Sequence, residues 1–274
     1  MKIGDKVNRI RLMDELLKFA VNCAKESGKI QREYYEKRFN IHFKGDINLV
    51  TDVDYLCQEK IIELIVKDFP GDEIISEEKT NCYDNQKNRW IVDPLDGTTN
   101  YAHGYPFFCT SIAYEKDGDI ILGVVYNPIF DELFYSKKGE GAYLNGSRIK
   151  VSTVKTLKGA LLTTGFPYDL ATNKRNNVDN FIKFLYAAQA IRRDGSAALN
   201  LCYLACGRFD GFWELKLNPW DVASGYLILL ESEGKITNFQ GNAFDIYKDD
   251  IAASNGLIHD AILEVLGQDL AVKT

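Results

Sequence analysis

The sequence predicts a mixed α/β protein built from layers of sheet and helix. Three observations carry that expectation. Two amphipathic helical stretches come first, short β-rich segments with hairpin turns follow, and the rest of the chain alternates strand and helix. The 274 residues are 46% hydrophobic and 12% aromatic, with no low-complexity tract. That composition supplies a large core and excludes a disordered chain. At this length about three quarters of the unfolded surface is buried on folding.

Met13, Leu16, Leu17, Ala20, Cys23 and Ala24 recur at helical spacing and predict a helix over 9–37. Val53, Leu56, Ile61, Leu64 and Ile65 predict a second over 53–69, with Thr51 or Asp52 as N-cap and Phe69-Pro70-Gly71 as its stop. Strands are expected at 90–92, 110–115, 120–126, 133–136 and 142–144, with Asp117-Gly118 and Asn145-Gly146 as hairpin turns between them. Further strands near 160–164, 190–193, 209–213, 235–238 and 251–254 alternate with helices near 176–188, 197–206, 220–232 and 256–266. A composition shift near residue 150 divides the chain into 1–150 and 151–274, with no Pro/Gly/Ser linker between them. The two halves are expected to pack closely as one catalytic unit.

The first nine residues alternate charge and contain no apolar run, so no signal peptide is expected. The longest stretch without Asp, Glu, Lys or Arg, 97–114, is interrupted by Asn, His, Pro and Gly and does not suit a bilayer. Six cysteines form no Cys-x-x-Cys pair and have no His cluster beside them, so they read as free thiols of a reduced, cytoplasmic protein. With 33 basic and 39 acidic residues the net charge is −6, which excludes a nucleic-acid binder relying on a basic stripe. Taken alone, the acid excess also argues against a phosphorylated small molecule.

Chemistry concentrates where an apolar strand, Trp90-Ile91-Val92, runs into Asp93-Pro94-Leu95-Asp96-Gly97-Thr98-Thr99-Asn100. Two carboxylates three residues apart at a strand end need a cation to balance them. Pro94 makes the turn rigid. Gly97 lets backbone approach a ligand, and the Gly97 and Thr98 N–H groups open a helical turn that can donate to an anion. Hard oxygens beside an anion pocket suit Mg²⁺ with substrate phosphate. An EF-hand loop fails, because its position 12 would fall on His103. An aspartyl-phosphate route fails, because Pro94 stands where the nucleophilic Asp belongs. Two other acidic spots are Ile74-Ile75-Ser76-Glu77-Glu78 and Asn218-Pro219-Trp220-Asp221 before Val222-Ala223-Ser224-Gly225. Alone, they read as a solvated turn and a carboxylate favouring a helix dipole. The three histidines, His42, His103 and His259, stand in no nucleophile context. His103 reads as loop packing and Trp213 as core. Lys44 precedes the second helix, either exposed or reaching the site electrostatically.

Together these spots resemble the inositol monophosphatase family, whose Glu-Glu, Asp-Pro-(Ile/Leu)-Asp-Gly-Thr-Thr-Asn and Trp-Asp-x-Ala-(Ala/Ser)-Gly elements occur in this order. The resemblance extends to Leu49-Val50-Thr51-Asp52-Val53-Asp54, to Arg192-Arg193-Asp194-Gly195-Ser196-Ala197-Ala198 and to Asp210-Gly211-Phe212-Trp213-Glu214. It implies a layered α-β-α-β-α sandwich, shared with fructose-1,6-bisphosphatase, usually as a homodimer. It implies Mg²⁺-dependent, lithium-sensitive hydrolysis of a polyol or sugar phosphate, foremost myo-inositol monophosphate, by metal-activated water. By the same resemblance, Glu77, Asp93 and the Leu95 carbonyl hold a first Mg²⁺, Asp93, Asp96 and Asp221 a second, and Glu77 helps with a third. Thr98 pairs with Glu77 to orient water, and the Gly97 and Thr98 N–H groups hold phosphate. Arg192, Gly195, Ser196, Ala197 and Glu214 face the alcohol, with Asp96 and Asp221 near its hydroxyls. Ser76, Tyr101 and Ser224 stand where Gly, Phe and Ala are usual, and Asp194 adds an acid beside the substrate wall. Thr99 and Asn100 favour this branch over related nucleotide phosphatases. Fructose 1,6-bisphosphate, NADP, a 3′-phosphoadenosine nucleotide, or a non-catalytic role in metal or phosphate binding are the alternatives. With two Mg²⁺ in place the local field favours phosphate, and the acidic total no longer counts against it.

Overall fold

Helix α1 (Ile3–Tyr34) and helix α2 (Asp52–Asp68) open the chain in a computed structural model that describes residues 3–37, 39–43, 49–78, 87–248 and 250–268. Thr51 caps α2: its hydroxyl accepts from the Val53 and Asp54 N–H groups, and the Asp54 carboxylate accepts the Thr51 N–H at 2.8 Å. This reciprocal cap satisfies donors that a helix start leaves open. Strands β1 (Ile41–Phe43) and β2 (Leu49–Thr51) form a small antiparallel pair before it. Lys44 and Cys82 lie outside the described residues.

The first large sheet runs in chain order through β3 (Glu73–Ser76), β4 (Asn88–Asp96), β5 (Cys109–Lys116), β6 (Asp119–Asn127), β7 (Glu132–Lys137), β8 (Ala142–Leu144) and β9 (Ser147–Arg148). Only the β3–β4 pair is parallel. Asp117-Gly118 and Asn145-Gly146 all take positive φ, as two-residue hairpin turns require. The second sheet holds β10 (Leu161–Thr164), β11 (Ala190–Arg192), β12 (Gly211–Leu215), β13 (Lys235–Thr237) and β14 (Asp250–Ser254) in the order β11-β10-β12-β14-β13. A short helix α3 (Thr98–Ala102) follows β4. The second half adds α4 (Val178–Ala187), α5 (Ala197–Ala205), α6 (Pro219–Glu231) and α7 (His259–Gly267).

Strand alternation sorts the side chains into layers. Trp90 and Val92 of β4, with Ile112 and Tyr114 of β5, pack against Leu16, Ala20 and Ile61 of α1 and α2. Ile91, Ala113 and Val125 face the other way, onto α5 and α6. In β12, Phe212 joins that central layer, whereas Trp213 packs outward with Phe184 of α4 and Ile262 of α7. The order is therefore helix, sheet, helix, sheet, helix, the layered sandwich that the resemblance implies. Trp213 is core, its ring centroid 4.0 Å from that of Phe184 at a 30° tilt, and it donates to Asn177 at 2.8 Å. The five described cysteines are free. No helix among the described residues is long and apolar enough to cross a membrane.

Several boundaries differ from expectation for local reasons. Strand β4 continues four residues past Val92, because Pro94 sits in a bulge where its missing N–H breaks no ladder bond. Helix α7 starts later than 256 because Asn255 Oδ1 accepts the Leu257 and Ile258 N–H groups, capping the turn ahead of it. Strand β12 begins at 211 because Asp210 is spent on Ser152 Oγ (2.5 Å) and the Leu161 N–H (2.7 Å). Strands β1, β2, β3 and β9, of two to four residues, are too short to show a period.

Candidate active site

A cavity of about 360 Å³ opens where the C-terminal ends of β3, β4, β10 and β12 meet the starts of α3, α5 and α6. The parallel β3–β4 pair, with Ser76 opposite Val92, ends both strands at this edge. Glu77 and Asp93 therefore follow on adjacent strands, and both line the cavity.

The bulge decides where the second carboxylate points. Residues three apart on a regular strand face opposite sides. Here Asp93 pairs with Ser111 and Asp96 with Cys109, so three steps on β4 oppose two on β5. One extra residue restores the parity. Asp93, on the face of Ile91, and Asp96 then both turn to the central layer, and both line the cavity. Asp96 Oδ2 accepts the Ser196 hydroxyl at 2.6 Å and the Ala198 N–H at 2.9 Å, at the start of α5. Ser196 in turn caps that helix through the Leu199 N–H. Asp221 enters from α6, where its Oδ2 accepts the Asn218 N–H at 2.6 Å in a reciprocal cap. Ser224, one turn on, meets Ser111 of β5 at 2.5 Å and seats α6 against the sheet.

Burial and mutual repulsion raise all three carboxyls. Burial is the first cause for Asp93, followed by the charges of Glu77, Asp96 and Asp221, and the group is held well above the carboxylate range. Asp221 is raised well above that range for the same reasons. Asp96 rises only to about 6, because Ser196 and the α5 N–H groups offset its burial. The donor chemistry fits a hard divalent cation: buried oxygens, like charges that only a cation relieves, and uncommitted acceptors. Asp93 Oδ2 and Asp221 Oδ1 accept no hydrogen bond among the described residues, since Leu95 and Asn218 occupy the other oxygen of each. Among the described residues no three His, Cys, Asp or Glu side chains stand as a closed cation cage. Asp96 and Asp221 each give their Oδ2 to the start of a helix, α5 and α6.

Gly97 has φ +95°, and a Cβ there would stand 2.9 Å from the Phe107 carbonyl oxygen, so only glycine fits. It precedes α3 and leaves the first N–H groups of that turn toward the cavity, which Gly97 and Thr98 both line. The Thr98 hydroxyl lies 2.9 Å from Asp54 Oδ1 and 3.1 Å from the Leu95 carbonyl. The structure thus places Asp54, not Glu77, on the Thr98 hydroxyl. Asp54 is fully buried, and burial is the main force pushing it up to about 7. Sequence reasoning gave Asp54 no role, because an Asp three residues after Thr51 reads as half of a helix cap, which it also is.

Gly195, Ser196, Ala197 and Glu214 line the opposite wall. Burial pushes Glu214 up to about 8, against the opposing charge of Arg193. Both arginines are exposed, but Arg193 lines the cavity and Arg192 donates to the Ile191 carbonyl instead. The arginine bordering the cavity is therefore one residue beyond the expected Arg192. Asn100 donates to the carbonyls of Phe107 (2.7 Å) and Asp194 (2.6 Å), fastening the loop of Gly195 to α3. The Asp194 carboxyl is half-buried and raised, away from the cavity lining. The histidines stay out: His42 meets Asp52, His103 is exposed, and His259 is buried between Thr237 and Ser254. Tyr168 and an Asp169–Lys216 ion pair at 2.5 Å also border the cavity. The sequence reading gave these residues no role; Pro167 before Tyr168-Asp169 is a turn signal that could have pointed to them.

The sequence pattern of the inositol monophosphatase family matches residues 12–270. Inositol monophosphatase 2 of Solanum lycopersicum is 39% identical over 267 residues, covering 93% of this chain and 99% of that protein. The fructose-1,6-bisphosphatase/inositol-1-monophosphatase of Aquifex aeolicus is 38% identical over 255 residues, covering 92% and 96%. The solved inositol monophosphatase structure from Anabaena (Nostoc) sp. PCC 7120 matches with a TM-score of 0.85 at 38% identity, covering 92% of this chain and 95% of that one. With fold, motif order and cavity in agreement, the chain belongs to the inositol monophosphatase family.

Proposed function

We propose that this cavity hydrolyses the phosphate monoester of a polyol, myo-inositol monophosphate foremost, using two to three Mg²⁺ ions. The observation that carries the reading is the convergence of Glu77, Asp93, Asp96 and Asp221 on one cavity, with Asp93 raised first by burial and then by the charges of the other three. Those carboxylates and the Leu95 carbonyl would hold the cations, which when bound neutralise phosphate oxygens and acidify water. The protein's own residues then position and move protons. Thr98 donates to Asp54, which turns a lone pair of its oxygen toward the cavity to accept a water proton. The N–H groups of Gly97 and Thr98 bind a phosphate oxygen. Arg193, Gly195, Ser196, Ala197 and Glu214 face the alcohol, with Asp96 and Asp221 near its hydroxyls. Glu214, raised to about 8, is largely protonated at neutral pH and can donate to a substrate oxygen.

The halves 1–150 and 151–274 are proposed to act as one catalytic unit, since Asp96 of the first is bonded to Ser196 and Ala198 of the second. A homodimer, a cytoplasmic location and lithium sensitivity belong to the same proposal and rest on family membership. Phosphate release tests it, with inositol 1-phosphate, fructose 1,6-bisphosphate, NADP and 3′-phosphoadenosine 5′-phosphate compared at fixed Mg²⁺. Fastest turnover of the inositol ester, abolished by chelation, is the expected result. Faster turnover of another ester reassigns the substrate, and no release from any of them sinks the phosphatase reading.

A further inference from the structure

The bulge that aims the two aspartates is held from behind by a polar cluster that the reaction does not use. The Pro94 carbonyl points away from the cavity toward α1. There it meets Gln31 Nε2 at 2.8 Å, Thr110 Oγ1 at 3.1 Å and Ser27 Oγ at 3.3 Å. Gln31 Nε2 also donates to Thr110 Oγ1 at 2.8 Å, and Thr110 Oγ1 to Ser27 Oγ at 2.8 Å. All three side chains are fully buried among apolar neighbours.

Counting donors limits the network to two arrangements. The Gln31 amide donates to the Pro94 carbonyl and to Thr110. Thr110 has one hydrogen: either it goes to the Pro94 carbonyl and Ser27 donates to Thr110, or it goes to Ser27 and Ser27 donates to the carbonyl. In both, the carbonyl receives two donors. Gln31 Oε1 has no hydrogen-bond partner among the described residues. A buried acceptor left unpaired lowers stability, so in this core only the donor end of the amide contributes.

The bulge peptide has no ladder bond to orient it. A peptide is planar, so fixing the Pro94 C=O toward α1 fixes the Leu95 N–H on the opposite side. That N–H donates to Asp93 Oδ1 at 3.0 Å, committing one oxygen and leaving the other to the cavity. The next carbonyl, Leu95, then faces the Thr98 hydroxyl at 3.1 Å. Close approach of α1 makes this possible: a Cβ on Gly28 would stand 2.6 Å from the Tyr126 ring, so only glycine fits there.

We propose that Gln31, Thr110 and Ser27 are positioning residues that preset the Asp93–Leu95 peptide for cation binding. The proposal rests on the reading of Asp93 and the Leu95 carbonyl as metal ligands. Partners behind a ligand typically change metal affinity tenfold or more.

The test is a calorimetric Mn²⁺ titration of the full chain, wild type against Thr110→Val, Gln31→Met, their double variant and Ser27→Ala. Thr110→Val and Gln31→Met should each weaken Mn²⁺ about tenfold. The double variant should be much less than a hundredfold weaker, because both act through one carbonyl. The Mg²⁺ concentration for half-maximal phosphate release should rise in parallel, with kcat at saturating Mg²⁺ within about threefold of wild type. Ser27→Ala, at the longest of the three contacts, should weaken Mn²⁺ about threefold, and it decides the matter if the other variants fail to fold. Unchanged Mn²⁺ affinity with only a lower melting temperature overturns the clamp and leaves the metal reading standing. A wild-type chain that binds no Mn²⁺ overturns the metal reading, and the clamp with it.

Discussion

Asp54→Asn separates the chemistry of this site from its stability. The carboxylate is fully buried and does two jobs: Oδ2 accepts the Thr51 N–H at 2.8 Å and Oδ1 accepts the Thr98 hydroxyl at 2.9 Å. Asparagine has one acceptor oxygen. If that oxygen keeps Thr51, the amide NH₂ faces Thr98 and reverses the bond, so the hydroxyl must donate to the Leu95 carbonyl instead. Thr98 then has no path for a water proton, and phosphate release should fall ~10²- to 10⁴-fold. Stability should move the other way. With Asp54 near 7 against an ordinary 3.8, holding its charge at neutral pH costs at most ~4 kcal/mol. Turning the Thr98 contact around, which leaves its hydroxyl on the longer Leu95 bond, takes back up to ~2 kcal/mol. The net gain of ~2 kcal/mol raises Tm by about 5 °C. The sign is fixed by proton counting: between 3.8 and about 7 the folded state binds more protons than the unfolded chain. Stability from this group therefore falls as pH rises through that window, and Asn removes the slope. The rising limb of kcat/KM near pH 7 should vanish with it. Activity within about threefold of wild type refutes Asp54 as the acceptor behind Thr98, and so does persistence of the limb.

Asp93→Asn should abolish phosphate release while raising Tm in chelator, since it removes a carboxyl whose ionisation burial and the charges of Glu77, Asp96 and Asp221 all oppose. It should also remove the Mg²⁺-induced stabilisation, ~3 kcal/mol for wild type at a hundredfold excess over Kd; a retained Mg²⁺ shift refutes the ligand role. His259 is buried and held down near 4, mainly by desolvation and then by Lys235. The unfolded chain takes up its proton first, so the contribution is complete above pH 6.5 and is lost as pH falls toward 4, by ~3 kcal/mol at most. Urea unfolding of His259→Gln should lack that part of the acid loss, and an identical pH profile counts against it. Gly97→Ala meets both φ +95° and a 2.9 Å contact with the Phe107 oxygen, so it should cost at least ~1–2 kcal/mol and most of the activity. Wild-type phosphate affinity in that variant contradicts the proposed role of its N–H group.

What was legible in the sequence is what neighbours along the chain decide. Asp93-Pro94-Leu95-Asp96-Gly97-Thr98 announces itself because one turn supplies both carboxylates, the left-handed glycine and the anion-facing N–H groups. Helices α2, α5 and α6 were legible because a cap residue and a hydrophobic period coincide at their starts. What was not legible is parity between distant elements. On a regular strand, Asp93 and Asp96 point to opposite faces; the single extra residue against β5 aligns them, and only the Asp96–Cys109 pairing reveals it. Arg193 rather than Arg192 borders the cavity for a similar reason: β11 ends at Arg192, and the strand's alternation no longer sets the direction of the next residue. Asp54 was hidden in another way, because its cap bond to Thr51 is a sufficient local explanation until Thr98 is found behind it. The Pro94 carbonyl combines both cases. Nothing local in Gln31 or Thr110 says what they bind, yet the bulge that makes the acidic motif work depends on a peptide that they orient from the far side of the sheet. Motif residues thus carry the chemistry of this site, and the register between β4, β5 and α1 determines whether those residues meet.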